Sequence, residues 1–324
     1  MRVPVSQQFE IIHYYHSGFS VSCRDLLFVF DYWLGEEEEL PPEKRITPEK
    51  LSAFRKIFVF ISHEHVDHFD PVVYTWKDYA DVTYIVSSDM PVGTRGKRMA
   101  PGDTLELEDN ISVTAFDSTD LGVSFLLRIF GTHFFHAGDL NFWHWRDESS
   151  VREIEEADQD FRKALRPLSR ERIDIAFFPV DPRQGSMFDA GSNYFILSIK
   201  PSLLIPMHYF HRSDVAVEYA RTAGSRATEV LAMPGYGDAV LAEMDDDGYL
   251  NLSFPSGDVR EETEKEASSD LPDDSLDTIG DSPFAESDLP VLQLADQQEP
   301  ETPDEASDAS SGSETALPPE NETP

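Results

Sequence analysis

KIFVFISHEHVDHFD, residues 56–70, joins a strand-like run to a histidine cluster with no spacer between them. Lys56 to Ser62 is short, apolar and rich in β-branched and aromatic residues, the composition of a buried strand. The next six residues place His63, His65, Asp67 and His68 in the pattern H-x-H-x-D-H. Side chains alternate along a strand, so His63 and His65 can leave its end on the same side, and a tight turn then brings Asp67 and His68 round. Imidazole with carboxylate and no thiolate suits zinc, iron or manganese at a hydrolytic rather than a structural site. The duller reading is a polar loop. Acids are plentiful here, with 62 Asp and Glu against 26 Lys and Arg, but only ten histidines are spread over 324 residues. Three of them at these offsets argue for a metal site.

The formal charge of −36 is unevenly distributed. From Asp258 to Pro324 there are 21 acids against Arg260 and Lys265, a net −19, while the first 257 residues hold 41 acids and 24 basic residues, a net −17. Residues 258–324 are rich in Ser, Pro, Asp and Glu and poor in aromatics. They lack the apolar surface to fold alone, so a disordered acidic tail is expected after a domain spanning residues 1–257. Its apolar island SPFAESDLPVLQLADQ could dock on a protein partner, although a solubilising tail is the plainer reading. So acidic a chain repels nucleic-acid phosphates and anionic membranes, and no basic stripe offsets it. The single cysteine, Cys23, lies in the apolar FSVSCRDLLFVF and excludes an internal disulfide and a Cys-rich zinc site. The N-terminus lacks the pattern of a signal peptide, and no apolar run approaches the ~20 residues that cross a bilayer. A soluble, cytoplasmic protein without membrane insertion is expected; oligomeric state is not legible.

FEIIHYYHSGFSVSC and DLLFVFDYW read as the two arms of an opening hairpin. In TPEKLSAF, Thr47 is placed to cap a helix that has Pro48 at its first position. DVTYIVSS, ISVTAFDS, VSFLLRIF and THFFHAGD continue as strands, and SVREIEEADQDFRKALRPL turns helical. IDIAFFPVD and PSLLIPMHY are again short buried strands, and SDVAVEYARTAG is a helix that stops at Gly224. That order predicts an α/β sandwich, sheets with helices packed outside them.

On these segments the chain resembles the metallo-β-lactamase-fold metallo-hydrolases over residues 8–255. Asp31 in FVFDYW, the loop at 63–68, Asp139 in HAGDLN and His208 in IPMHYF come in that family's order, each after a strand-like run. HSGFSV, SHEHVDHFD, HAGDLNFWHW and IPMHYF look most like the bacterial branch that includes ascorbate-phosphate lactonase. The resemblance implies a four-layer αββα sandwich and two divalent metal ions, zinc first, with manganese or iron as alternatives. It implies that His63 and His65 hold the first ion and Asp67, His68 and His208 the second, with Asp139 bridging and Asp31 bracing the loop. Metal-bound hydroxide is then the implied nucleophile, and Asp67 the catalytic group that orients it or passes its proton on. The family's usual third histidine for the first ion is missing, because the matching region reads VTAFDSTDLGVSF. Asp117, Asp120 or His16 could substitute for it, or the first site is weak.

Arg183 in FFPVDPRQG follows a strand whose end should face the same cleft. It could hold a substrate carboxylate or phosphate, or simply pair with Asp181 or Asp189. His144, between Trp143 and Trp145, either lines the cleft or packs, and His133 and His136 read as structural. The expected function is metal-dependent hydrolysis of a small anionic metabolite, a lactone or a phosphoester. A phosphodiesterase or nuclease of the same fold is the alternative, disfavoured by the acidic charge. A non-catalytic binding or scaffold protein with a degraded metal site is a third reading, opposed by the intact remainder of the ligand set. The substrate depends on pocket loops and is not legible in sequence.

Overall fold

LLFVF (26–30) and IFVFI (57–61) are apolar at every position, so as strands they must be buried on both faces. In the computed structural model, which describes residues 7–145, 148–245 and 248–255, the two runs pair in parallel inside an eight-stranded sheet. The chain opens with β1 (Gln7–His13), β2 (Phe19–Cys23) and β3 (Leu26–Phe30), an antiparallel meander. Next come α1 (Pro48–Ser52), β4 (Lys56–Ile61), β5 (Val82–Ser87) and β6 (Lys97–Met99). A second meander comprises β7 (Thr104–Glu108), β8 (Ile111–Phe116), β9 (Ser124–Ile129) and β10 (Thr132–His136). It is followed by α2 (Val151–Leu168), β11 (Ile175–Pro179), α3 (Ala190–Ile199), β12 (Leu203–Met207), α4 (Ser213–Thr222) and β13 (Glu229–Val230). Finally β14 (Ala239–Met244) and β15 (Leu250–Ser253) return to the first sheet. The sheet orders are β15-β14-β1-β2-β3-β4-β5-β6 and β13-β12-β11-β10-β9-β8-β7.

The opening differs from the expected two-armed hairpin. FEIIHYYHSGFSVSC is itself two strands, because the chain reverses between Tyr14 and Gly18. The Tyr14 amide donates to the Gly18 carbonyl at 2.8 Å and the Gly18 amide to the Tyr15 carbonyl at 2.7 Å. An aromatic run with a single glycine hides that turn from a reading by composition, and His16 takes a left-handed backbone (φ 54°) inside it.

Alternation within the doubly buried strands divides the apolar side chains between two layers. Phe28 and Phe30 stack on Phe58 and Phe60 across β3 and β4, with centroids 5.4 and 4.7 Å apart. They meet Phe125, Phe134 and Phe177 of the second sheet in the central core. Leu27, Val29, Ile57 and Val59 point the other way, toward Leu51 of α1 and toward Val73 and Trp76. On the far side of the second sheet, α2 buries Phe161, Ala164, Leu165 and Leu168, and α3 buries Phe195 and Ile196. The αββα order is therefore present, with one outer layer built of short helical turns. Cys23 is buried and free, as expected. Among the described residues no helix is long and apolar enough to cross a membrane. The tail expected at 258–324 lies outside the described residues.

Register sets where the polar residues emerge. β3 and β4 are parallel with Phe30 beside Phe60, so Asp31 and Ser62 leave the sheet side by side. β10, β11 and β12 are also parallel, with His136 beside Phe177 and Pro179 beside Met207. Gly138–Asp139, Asp181 and His208 thus follow the carboxyl ends of adjacent strands, the usual location of sites in open α/β sheets.

Candidate metal centre

The loop after β4 is held by one buried carboxylate. Asp31 Oδ1 accepts the Ser62 amide at 2.8 Å, and Oδ2 accepts the Ser62 hydroxyl at 2.6 Å. The same Oδ2 takes His68 Nδ1 at 2.8 Å. Since the Ser62 hydroxyl donates to Asp31, it accepts from His63 Nδ1, which lies 2.9 Å away. Across the cleft, His208 Nδ1 donates to Asp181 Oδ2 at 3.1 Å. The protons of neutral His63, His68 and His208 are therefore all on Nδ1, and each leaves its Nε2 lone pair facing inward.

Those three Nε2 atoms are buried and make no hydrogen bond, and Asp139 Oδ1 is in the same condition. Asp139 nevertheless lies close to all three, at 3.2 Å from His63 Nε2, 2.9 Å from His68 Nε2 and 3.1 Å from His208 Nε2. The separations allow strong Coulomb attraction, but the atoms are not aligned as donor and acceptor; they converge on shared space instead. Unpaired buried polar atoms are costly, so a cluster of them is the signature of a cation site. Potential ligand atoms fall within 4.8 Å of one another in three groups: His16, Asp67, His68 and His208; His63, His68 and Asp139; and His65, Asp120 and Asp139. The donor set fits divalent metal ions.

His16 stands apart chemically. Its Nδ1 accepts the Phe210 amide at 3.2 Å, so the proton of the neutral ring sits on Nε2, 3.4 Å from Asp67 Oδ2. That tautomer makes His16 a hydrogen-bond donor rather than a ligand. Its position beside Asp67, His68 and His208 also takes it away from the group of His65, Asp120 and Asp139.

Burial opposes charge on every group here, yet the opposite charges prevail at the centre. Against burial, His68 and His208 hold the Asp139 carboxyl well below its usual range. Asp139 and Asp31 in turn raise His68 well above the ordinary imidazole value, and Asp139 and Asp181 raise His208. Asp181, also opposed by burial, is held down at about 2 by His208 and Arg183. His16 goes the other way: burial and the neighbouring His208 press it down to about 3, so it is neutral. Asp67 stays ionised despite burial because His16 and His68 favour its charged form.

The cleft above the centre has a volume of about 380 Å³ and is lined by His65, Asp67, Thr119, Asp120, Asp139, Trp143, Trp145 and Arg183. Trp143 and Trp145 stack in parallel, 5.8 Å apart, and Trp143 Nε1 donates to the Asp139 carbonyl at 3.0 Å. Arg183 is paired with Asp181 through Nε and Nη2, the shortest contact being 2.6 Å, and it also reaches the cleft. His144 packs edge-on against Phe142. His136 is bonded to the Ser17 carbonyl and His133 to the Arg172 carbonyl, both structural as expected. Asp117 belongs to none of the three ligand groups, and its carboxylate caps the Ser118 amide at 3.1 Å. Sequence reasoning missed Ser62 as a relay and Asp181 as the orienting partner of His208. Asp181 in FFPVDPRQG carried a signal, since it ends a buried strand as Asp31 does.

No family model matches the chain. A UPF0173 metal-dependent hydrolase of Pyrobaculum neutrophilum is 25% identical over 240 residues, covering 68% of this chain and 95% of that protein. A second protein of that description, from Pyrobaculum calidifontis, is 24% identical over 213 residues, covering 60% and 81%. Among solved structures, Igni18, a novel metallo hydrolase from Ignicoccus hospitalis, superposes with a TM-score of 0.52 at 17% identity. That superposition covers 72% of this chain and 98% of Igni18, a likeness of fold.

Two outcomes follow for metal binding. Asp31→Asn, a residue that tolerates the left-handed backbone at this position (φ 41°), should weaken metal affinity about 10- to 100-fold in chelator competition. Unchanged affinity would remove Asp31 as the organiser. Because His68 and His208 hold protons above the ordinary imidazole range, and ligation needs those protons gone, affinity should fall as pH drops. Metal uptake at neutral pH should accordingly release protons, read as a dependence of calorimetric heat on buffer ionisation enthalpy. Absence of release would contradict the charge balance described.

Proposed function

We propose that this chain, a metal-dependent hydrolase of the metallo-β-lactamase-fold superfamily, binds two divalent ions and hydrolyses a small anionic metabolite, a lactone or a phosphoester. His63 and His65 would hold one ion and Asp67, His68 and His208 the other, with Asp139 shared. The convergence of three inward, buried Nε2 atoms on Asp139, none of them in an aligned hydrogen bond, is the observation that carries this reading. When bound, the ions would polarise the scissile group and lower the pKa of water.

The protein's own groups supply the rest. Asp67 is ionised, lines the cleft and has His16 Nε2 3.4 Å from its Oδ2, which suits it to take up or orient a proton of the attacking water. The stacked Trp143 and Trp145 give the cleft an apolar wall. Arg183 is the cationic side chain of the lining, and the part of its guanidinium not engaged by Asp181 can hold a carboxylate or phosphate. Without ions, Asp67, Asp120 and Asp139 outweigh that single cation, so an anionic substrate should bind only to the metal-loaded protein.

A panel of lactones, phosphoesters and thioesters, assayed with zinc, manganese and iron added separately, tests the reading. One class should turn over. His65→Ala should lose that turnover and bound metal with little change in fold. Arg183→Gln should raise KM about 10- to 100-fold, the range of a lost hydrogen bond to a charged group, with a smaller change in kcat. Wild-type turnover in His65→Ala would take this cleft out of the mechanism, and an unaltered KM in Arg183→Gln would remove the anion-binding role.

A further inference from the structure

We propose that Asp120 completes the first metal site in place of the absent histidine, giving a ligand set of His63, His65, Asp120 and Asp139. This rests on the two-metal reading above and identifies the group that reading leaves open. The ligand atoms of His65, Asp120 and Asp139 lie within 4.8 Å of one another, and all three residues face the same cleft. An exposed aspartate on a loop is ordinarily a solvated charge. Asp120 differs in two respects.

Its backbone is clamped from both sides. Thr119 Oγ accepts the Asn141 amide at 2.9 Å and donates to the Asn141 carbonyl at 2.6 Å, tying the loop to the segment that carries Asp139. On the other side, the Val123 amide donates to the Ser62 carbonyl at 3.1 Å, and the Gly122 amide donates to Asp89 Oδ2 at 2.7 Å. Gly122 has φ +80°, and a Cβ there would collide with the Ser62 carbonyl and the His63 Cβ. Glycine is what lets this loop lie directly against the end of β4. Asp120 sits between the two clamps and is thereby held next to His65. The second difference is its company: the Asp139 carboxylate grouped with Asp120 and His65 also lies 3.2 Å from His63 Nε2, an atom that is buried and unpaired.

The competing substitutes are placed elsewhere. The Asp117 carboxylate caps the Ser118 amide, and its carbonyl takes the Ser124 hydroxyl at 3.4 Å. His16 lies with Asp67, His68 and His208 and presents a proton rather than a lone pair. With Asp120 included, each site has two imidazoles and two carboxylates. An oxygen donor where a nitrogen donor would have been hardens the first site and moves its preference from zinc toward manganese or iron.

Full-length protein stripped with chelator and titrated with Mn(II) or Zn(II) alone, with bound ions counted and free Mn(II) followed by electron paramagnetic resonance, decides the matter. Wild type and Asp117→Asn should each take up two ions. Asp120→Asn should keep one and bind the other at least about 100-fold more weakly, beyond the cost of losing a merely supporting partner. Asp120→His should restore the second ion and shift its preference toward zinc, and thermal melting in chelator should be the same for all four proteins. Two ions at wild-type affinity in Asp120→Asn, or loss of the second ion in Asp117→Asn instead, would overturn the assignment and leave the two-metal reading intact. No uptake by wild type would overturn both.

Discussion

Both carboxylate oxygens of Asp31 are engaged by the loop that follows β4, and the direction of two imidazoles depends on it. One oxygen holds the Ser62 amide; the other gathers the Ser62 hydroxyl and His68 Nδ1, and through Ser62 it also sets His63. The parallel pairing of β3 with β4 makes this possible, because it brings residues 31 and 62 to the same edge of the sheet. Lost from this position, the carboxylate would leave buried donors unpaired and let the rings turn their protonated edges into the centre.

The second sheet repeats the device. Asp181 ends β11 beside the end of β12 and directs His208, as Asp31 directs His68. Asp139 comes off β10, the neighbour of β11, and meets the lone pairs from both sheets. The backbone bears part of the cost. Asp31, His16 and His208 all have left-handed φ values, of 41°, 54° and 68°, a conformation that costs a non-glycine residue of order 1–3 kcal/mol. Strain of this kind persists where surrounding contacts over-determine it, as they do here. The His208 amide donates to the His16 carbonyl, and the Phe210 amide donates to the His16 ring.

Much of this was legible in the chain. The run 57–61 is apolar throughout and leads straight into His63, so the strand, the loop and its exit direction could be inferred from composition and period alone. Asp139 and His208 were legible through the family resemblance, in whose order they fall, each after a strand-like run. What sequence could not rank was the set of substitutes for the missing ligand. What holds Asp120 at the centre is a set of contacts made across 20 or more residues, such as Thr119 with Asn141 and Gly122 against Ser62. The opening hairpin was misread for a related reason: the Tyr14–Gly18 reversal is made by backbone hydrogen bonds within an aromatic run that has no turn composition beyond one glycine.

The central claim is that His63, His68 and His208 aim their Nε2 atoms at cations shared through Asp139. Anomalous X-ray scattering from crystals of the full chain grown with Mn(II) tests it most directly. Two anomalous peaks flanking Asp139, with the nearest Nε2 atoms at about 2.0–2.2 Å, typical of imidazole and carboxylate ligands, are predicted. An empty centre in crystals that carry manganese elsewhere, or ions bound through Nδ1 with Asp31 displaced, would contradict it.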